Sequence, residues 1–124
     1  MIYLTSPYSH PDPAVRKRRF RAACRATAAL LRAGEVVFSP IVHSHPLVGF
    51  ALPTEWAFWE RIDRAYLERC DEVVVLMLNG WKESVGVREE IRIARAAGKP
   101  VRFLGVEDGH GSPTLAHVGP GVES

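Results

Sequence analysis

The sequence has little cysteine, no long apolar run and only a small surplus of charge. Two cysteines in 124 residues, Cys24 and Cys70, exclude a disulfide-stapled scaffold, and they lack the close spacing of a redox or zinc motif. Both fall in segments predicted to be helical, beside apolar residues, and read as small buried hydrophobes. No apolar stretch approaches the ~20 residues that span a bilayer. Met1-Ile2-Tyr3-Leu4 runs straight into Thr5-Ser6-Pro7, without the basic and then apolar leader of a secretory signal. The expectation is a cytoplasmic protein with no membrane partner. A composition of 47% hydrophobic and 24% charged residues suits one globular domain, and no segment repeats. Much of the net charge of +2 sits in Arg16, Lys17, Arg18, Arg19, Arg21 and Arg25. Without an RNP, zinc-finger or helix-turn-helix pattern, that cluster reads as a solvated helix face, so nucleic acid is not an expected partner.

What is present is an alternation of short apolar runs and helical periods. Residues 1 to 6 read as a strand and Pro7 to Pro13 as a loop. A helix follows, with Asp12 as N-cap, Pro13 in its first turn and Gly34 as its stop. A strand over 35–40 leads into a loop over 41–53 that has no sustained period. Thr54 is expected to cap a helix running to Cys70, with Trp59, Ile62, Tyr66 and Cys70 facing inward. Val73 to Leu78 is continuously apolar, as in a strand covered on both faces. Ser84 caps a helix to Ala97, Gly98 and Pro100 end it, and a strand runs from Val101 to Val106. This order predicts a single-domain α/β fold, a Rossmann-like (flavodoxin-like) doubly wound parallel sheet of four to five strands with helices on both faces, over residues 1–106. Residues 107–124 lose periodicity and read as a C-terminal tail, mobile or packed on a neighbouring subunit.

Ligands of open parallel sheets bind beyond the carboxyl ends of the strands. Ser84-Val85-Gly86 opens a helix there, where free backbone N–H groups receive an anion or a sugar hydroxyl, although Ser84 is equally an ordinary cap. Glu89 and Glu90 follow, and helical phase does not decide which faces inward. Asp63 lies a turn from Trp59 and from Leu67, so it is either a surface partner of Arg64 or Arg69 or a site carboxylate. Two acids on neighbouring elements suit glycosidic chemistry, in which one attacks the anomeric carbon and the other handles protons or orientation. His43 and His45 would point the same way in an extended segment, and His10 would complete a metal triad. No carboxylate stands at a supporting spacing, so no metal or organic cofactor is expected. Among the aromatics, Tyr8, Trp59 and Trp81 are the preferred stacking candidates, ahead of Tyr3 and Trp56.

These residues together resemble the nucleoside 2-deoxyribosyltransferase-like family, which includes nucleoside 5'-monophosphate N-glycosidases. The resemblance spans residues 1 to 106. It is carried by Ile2-Tyr3-Leu4-Thr5-Ser6-Pro7-Tyr8, by Asp63 eight residues before Asp71, by Gly80-Trp81 before Ser84-Val85-Gly86-Val87-Arg88-Glu89-Glu90-Ile91, and by Ala94 to Val101. It implies Glu90 as a nucleophile on the anomeric carbon, forming a glycosyl-enzyme that water or a second base resolves. It also implies Asp63 as the group that orients Glu90 and manages the leaving base, and Ser84 and Gly86 as 5'-phosphate contacts. Tyr3, Ser6, Tyr8, His43, His45, Trp59 and Trp81 complete the expected substrate-binding set, and a homodimer or larger assembly is implied. One departure is that phosphate-gripping relatives use a Gly-rich first loop with an Arg, where this chain has Thr5-Ser6-Pro7-Tyr8-Ser9-His10. The competing reading from another class is a non-catalytic nucleotide-sensing module with the same crevice.

Overall fold

A computed structural model describes residues 1–106 and the backbone of residues 113–118. Strands β1 (Ile2–Thr5), β2 (Val37–Phe38), β3 (Glu72–Leu76) and β4 (Val101–Val106) alternate with helices α1 (Pro13–Arg32), α2 (Pro40–Val48), α3 (Trp56–Glu68) and α4 (Val85–Ala96). All four strands pair in parallel in the order β2-β1-β3-β4, so the fold is the single-domain Rossmann-like α/β architecture expected from the sequence. A fifth strand, β5 (Pro113–Val118), comes from the segment expected to be a tail and pairs antiparallel with β4 at the sheet edge.

The period-2 alternation of strands divides the core into two layers. Ile2, Leu4, Val74, Leu76 and Leu104 face Ala22, Ala26 and Leu30 of α1. Tyr3, Val73, Val75, Val101 and Phe103 face Leu67 of α3 and Val87, Ile93 and Ala94 of α4. The unbroken apolar run of β3 follows from this, since neither of its faces meets water.

Local chemistry sets the helix ends. The Asp12 side chain accepts from the Ala14 N–H, Pro13 occupies the first turn, and Gly34 takes φ +94° just after α1, a conformation only glycine adopts cheaply. Ser84 Oγ accepts from the Val87 N–H at 3.2 Å to open α4. The Lys99 ammonium, carried at the start of the next connection, hydrogen-bonds the carbonyls of Leu67, Glu68 and Cys70. It thus satisfies acceptors left over at the end of α3.

Four expectations are corrected. Residues 40–48 form helix α2 rather than a loop: Ser39 Oγ accepts from the Val42 N–H and Pro40 fills the first turn. Pro46 lies inside it, and it reads in sequence as a breaker. Helix α3 starts at Trp56 with Glu55 in the capping position and no side-chain cap bond, so Thr54 is not its cap. Its buried stripe is Trp59, Asp63 and Leu67, spaced four apart. Ile62 is only half-buried and Tyr66 is 37% exposed. The cysteines also differ: Cys70 is buried just beyond α3, whereas Cys24 is partly exposed on α1.

Lys99→Met removes three charge-assisted hydrogen bonds and leaves the carbonyls of Leu67, Glu68 and Cys70 without that donor. Urea denaturation is expected to show a loss of about 1–3 kcal/mol, with no change in helix content by far-ultraviolet circular dichroism.

Candidate functional site

The sheet order reverses direction between β1 and β3, and a cleft opens there at the carboxyl ends of the strands, as parallel sheets require. Tyr3 and Thr5 are two apart on β1 and therefore share a face, the one covered by α4. Both hydroxyls reach Glu90, the Tyr3 OH donating to Oε2 and the Thr5 OH to Oε1, each at 2.6 Å. Glu90 is 4% exposed. Its other neighbour is Asp63, hydrogen-bonded to it from the buried stripe of α3 and 8% exposed.

The environments of the two acids explain their titration. Burial pushes the Asp63 carboxyl up to about 7, against the lowering effect of its hydrogen bond with Glu90. Burial, with the charge of Asp63 next, pushes Glu90 up to about 8, while the Thr5 and Tyr3 hydroxyls pull it down. Two adjacent buried carboxyls cannot both ionise cheaply, so near neutrality the pair holds one proton in common. Both hydroxyl donors are spent on Glu90, and among the described residues none reaches Asp63. The hydroxyls favour an ionised Glu90, whereas burial and the hydrogen bond with Asp63 favour its protonated form, so the proton belongs to the pair rather than to either acid alone. The Tyr3 phenol is itself raised well above its ordinary value, first by burial and then by the Glu90 charge, so it remains a donor.

The cleft spans about 470 Å³, including the solvent-filled space at its open mouth. Glu90 and Asp63 meet it together with Ser6, Tyr8, Trp59, Ser84 and Gly86, all expected from the sequence. Ser6 Oγ is buried and has no hydrogen-bond partner among the described residues, which leaves it available to a ligand. The Trp56 indole lies over the N-terminus of α4, where a Cβ on Gly86 would meet it at 3.4 Å, an ordinary contact distance.

The remaining expected residues lie elsewhere. Tyr3 is fully buried beneath Glu90 and does not line the cleft. Trp81 packs on the core against Phe103, ring centroids 5.6 Å apart, away from the lining. Because residues 40–48 are helical, His43 and His45 point apart: His43 is exposed beside Phe38 and Tyr66, and His45 stacks on Phe20 and meets Tyr8. Among the described residues no group of three or more His, Cys, Asp or Glu is placed to hold a metal. Glu89 forms a surface pair with Arg92 at 2.8 Å, which separates it from Glu90 on geometric grounds. Arg64 pairs with Glu60, and Arg69 donates to the Ala65 carbonyl, so neither holds Asp63.

Two contributors were not singled out in the sequence. Thr5 belongs to the first strand, to the loop that follows it and to the motif that carries the resemblance, with no role of its own assigned; its position two residues after Tyr3 is the available signal. Trp56, passed over in favour of other aromatics, lines the cleft together with Ile41, Ser44 and Thr54. Ser44 and Ile41 come from helix α2, whose sequence shows no sustained period. Arg16 and Arg19 of the basic segment are also not simply solvated. Arg16 donates to the His10 carbonyl, and Arg19 ties the Ser9 carbonyl to that of Asn79, bracing the loops after β1 and β3. Among the described residues no helix is long and apolar enough to cross a membrane.

The sequence matches the family described as "Domain of unknown function (DUF1937)" over residues 1–106, and the chain belongs to that family. No curated protein matches it.

The acid pair predicts a pH dependence of stability. Unfolded, both carboxyls ionise near about pH 4; folded, they hold protons up to about 7 and 8. The folded state therefore binds more protons across that window, and the contribution is lost as pH rises through it. Asp63→Asn removes one of these groups, so its stability relative to the unsubstituted protein should improve by on the order of 2 kcal/mol between about pH 5 and about pH 9. Urea denaturation at both values checks this; a difference that does not move with pH contradicts the shared proton.

Proposed function

For this member of the DUF1937 family, we propose cleavage of the N-glycosidic bond of a nucleoside or nucleoside 5'-monophosphate through a glycosyl-enzyme on Glu90. The observation that carries the reading is the buried Glu90 carboxyl, with one hydroxyl on each oxygen and a proton shared with Asp63, on a cleft walled by aromatic rings. Sequence resemblance to the nucleoside 2-deoxyribosyltransferase-like family supports it independently.

In this mechanism one Glu90 oxygen attacks C1' as the C1'–N bond breaks, and the bonding electron pair leaves with the base. Asp63 delivers its proton to the departing base, which leaves as a neutral molecule. Water, or the nitrogen of a second base, then attacks C1' of the ester. Its proton passes to the Asp63 carboxylate, and Glu90 is released ionised. Tyr3 and Thr5 keep the attacking carboxylate in one orientation throughout. Trp56, Trp59 and Tyr8 supply planar apolar walls for the base, while the free Ser6 hydroxyl and the N-terminus of α4 at Ser84 to Gly86 receive the 5' end. The chemistry requires no metal. The same reading places the protein in the cytoplasm with its small-molecule substrates, as a homodimer or larger homo-oligomer.

Incubation with a panel of nucleosides and monophosphates, with and without a second base, is expected to release free base. Chromatography of the products distinguishes hydrolysis from base exchange. Glu90→Ala should lower turnover at least about a thousandfold and Asp63→Asn by about 10²–10⁴, both remaining folded. Ligand binding without base release would instead make the cleft a nucleotide sensor. The rate should also fall above about pH 8, where the pair loses its proton.

A further inference from the structure

His45 was expected to line a base pocket, and it does not: it stands behind Tyr8, which does. The Tyr8 oxygen lies 2.7 Å from His45 Nδ1, with the positive charge of Arg16 nearby. A cation near the phenol oxygen favours the arrangement in which the phenol proton points to His45. In that arrangement His45 Nδ1 is the acceptor nitrogen and the ring proton is on Nε2. Burial, followed by the charges of Arg16 and Lys17, lowers the His45 pKa and keeps the ring neutral. The imidazole is clamped in turn, stacked on Phe20 with centroids 4.2 Å apart and planes 23° apart, and edge-on to Tyr8. Tyr8, Ala23 and Ile41 form a small apolar cluster of their own, with Phe20 packed against it.

We propose that His45 is a positioning residue: by accepting the Tyr8 hydroxyl it fixes that ring as a wall of the cleft and so sets affinity for the planar base, without entering the bond-breaking step. The proposal rests on the glycosidase reading for the identity of the ligand. Its geometry does not, because the Tyr8–His45 hydrogen bond and the stacking of His45 on Phe20 exist in the free protein. An aromatic wall whose orientation is fixed before binding costs no ordering when a base stacks on it.

The test compares the unsubstituted protein with His45→Asn, His45→Leu and Tyr8→Phe. Asparagine presents an amide oxygen near the Nδ1 position, whereas leucine keeps the apolar packing and removes the acceptor. With nucleoside substrates, His45→Leu and Tyr8→Phe should raise KM about tenfold, equivalent to one lost hydrogen bond, with kcat within about twofold. His45→Asn should restore KM. Tryptophan fluorescence titrated with free adenine, guanine, cytosine, uracil and thymine should show the same ranking as dissociation constants. If no nucleoside or nucleotide releases base while this ranking holds, the glycosidase reading fails and the positioning role stands. An unchanged affinity in His45→Leu, an Asn variant as weak as the Leu variant, a loss confined to kcat, or no binding of any free base overturns the proposal.

Discussion

Placing two carboxyl groups side by side inside a protein costs several kcal/mol unless charge is removed or donors are supplied, and this molecule does both. One proton stays with the Asp63–Glu90 pair, and Tyr3 and Thr5 each donate to a Glu90 oxygen. The rest of the fold arranges these four side chains. Period-2 alternation puts both hydroxyls on one face of β1, helical spacing puts Asp63 in the buried stripe of α3, and Ser84 starts α4 so that Glu90 falls in its second turn, facing the sheet. A shift of one residue in any of these elements would turn its group away.

The elements with strong local signals were legible in the sequence. Asp12-Pro13, Ser84 and the unbroken apolar run of β3 specify their own structure, because caps and periodicity act over a few residues. Helix α2 was not legible. It is nine residues long, has apolar residues around much of its circumference and contains Pro46, so its stability comes from packing against α1 and β1. Strand β5 was also missed, since an edge strand is selected by its partner more than by its own composition.

The site was legible unevenly for the same reason. Glu90 and Glu89 are equivalent by helical phase alone. They are separated by resemblance in the sequence, and in the structure by burial on one side and an arginine partner on the other. Asp63 is ambiguous in sequence because Ile62 and Tyr66 form an equally apolar stripe one position out of phase with the buried one. His43 and His45 were grouped by an extended spacing that the helix abolishes, and Thr5 carried no signal beyond its distance from Tyr3. In each case the missing information was which element the residue sits on, which only tertiary packing supplies.

The central claim is that Glu90 carries the sugar during turnover. The most direct test mixes the protein with a nucleoside or nucleotide from which it releases base, quenches in acid within the first turnovers, and maps the peptides by mass spectrometry. The account predicts a glycosyl mass increment on the peptide containing Glu90, located to that residue and absent from the Glu90→Ala protein. Base release with the increment on another residue, or with no increment at any quench time, would contradict it.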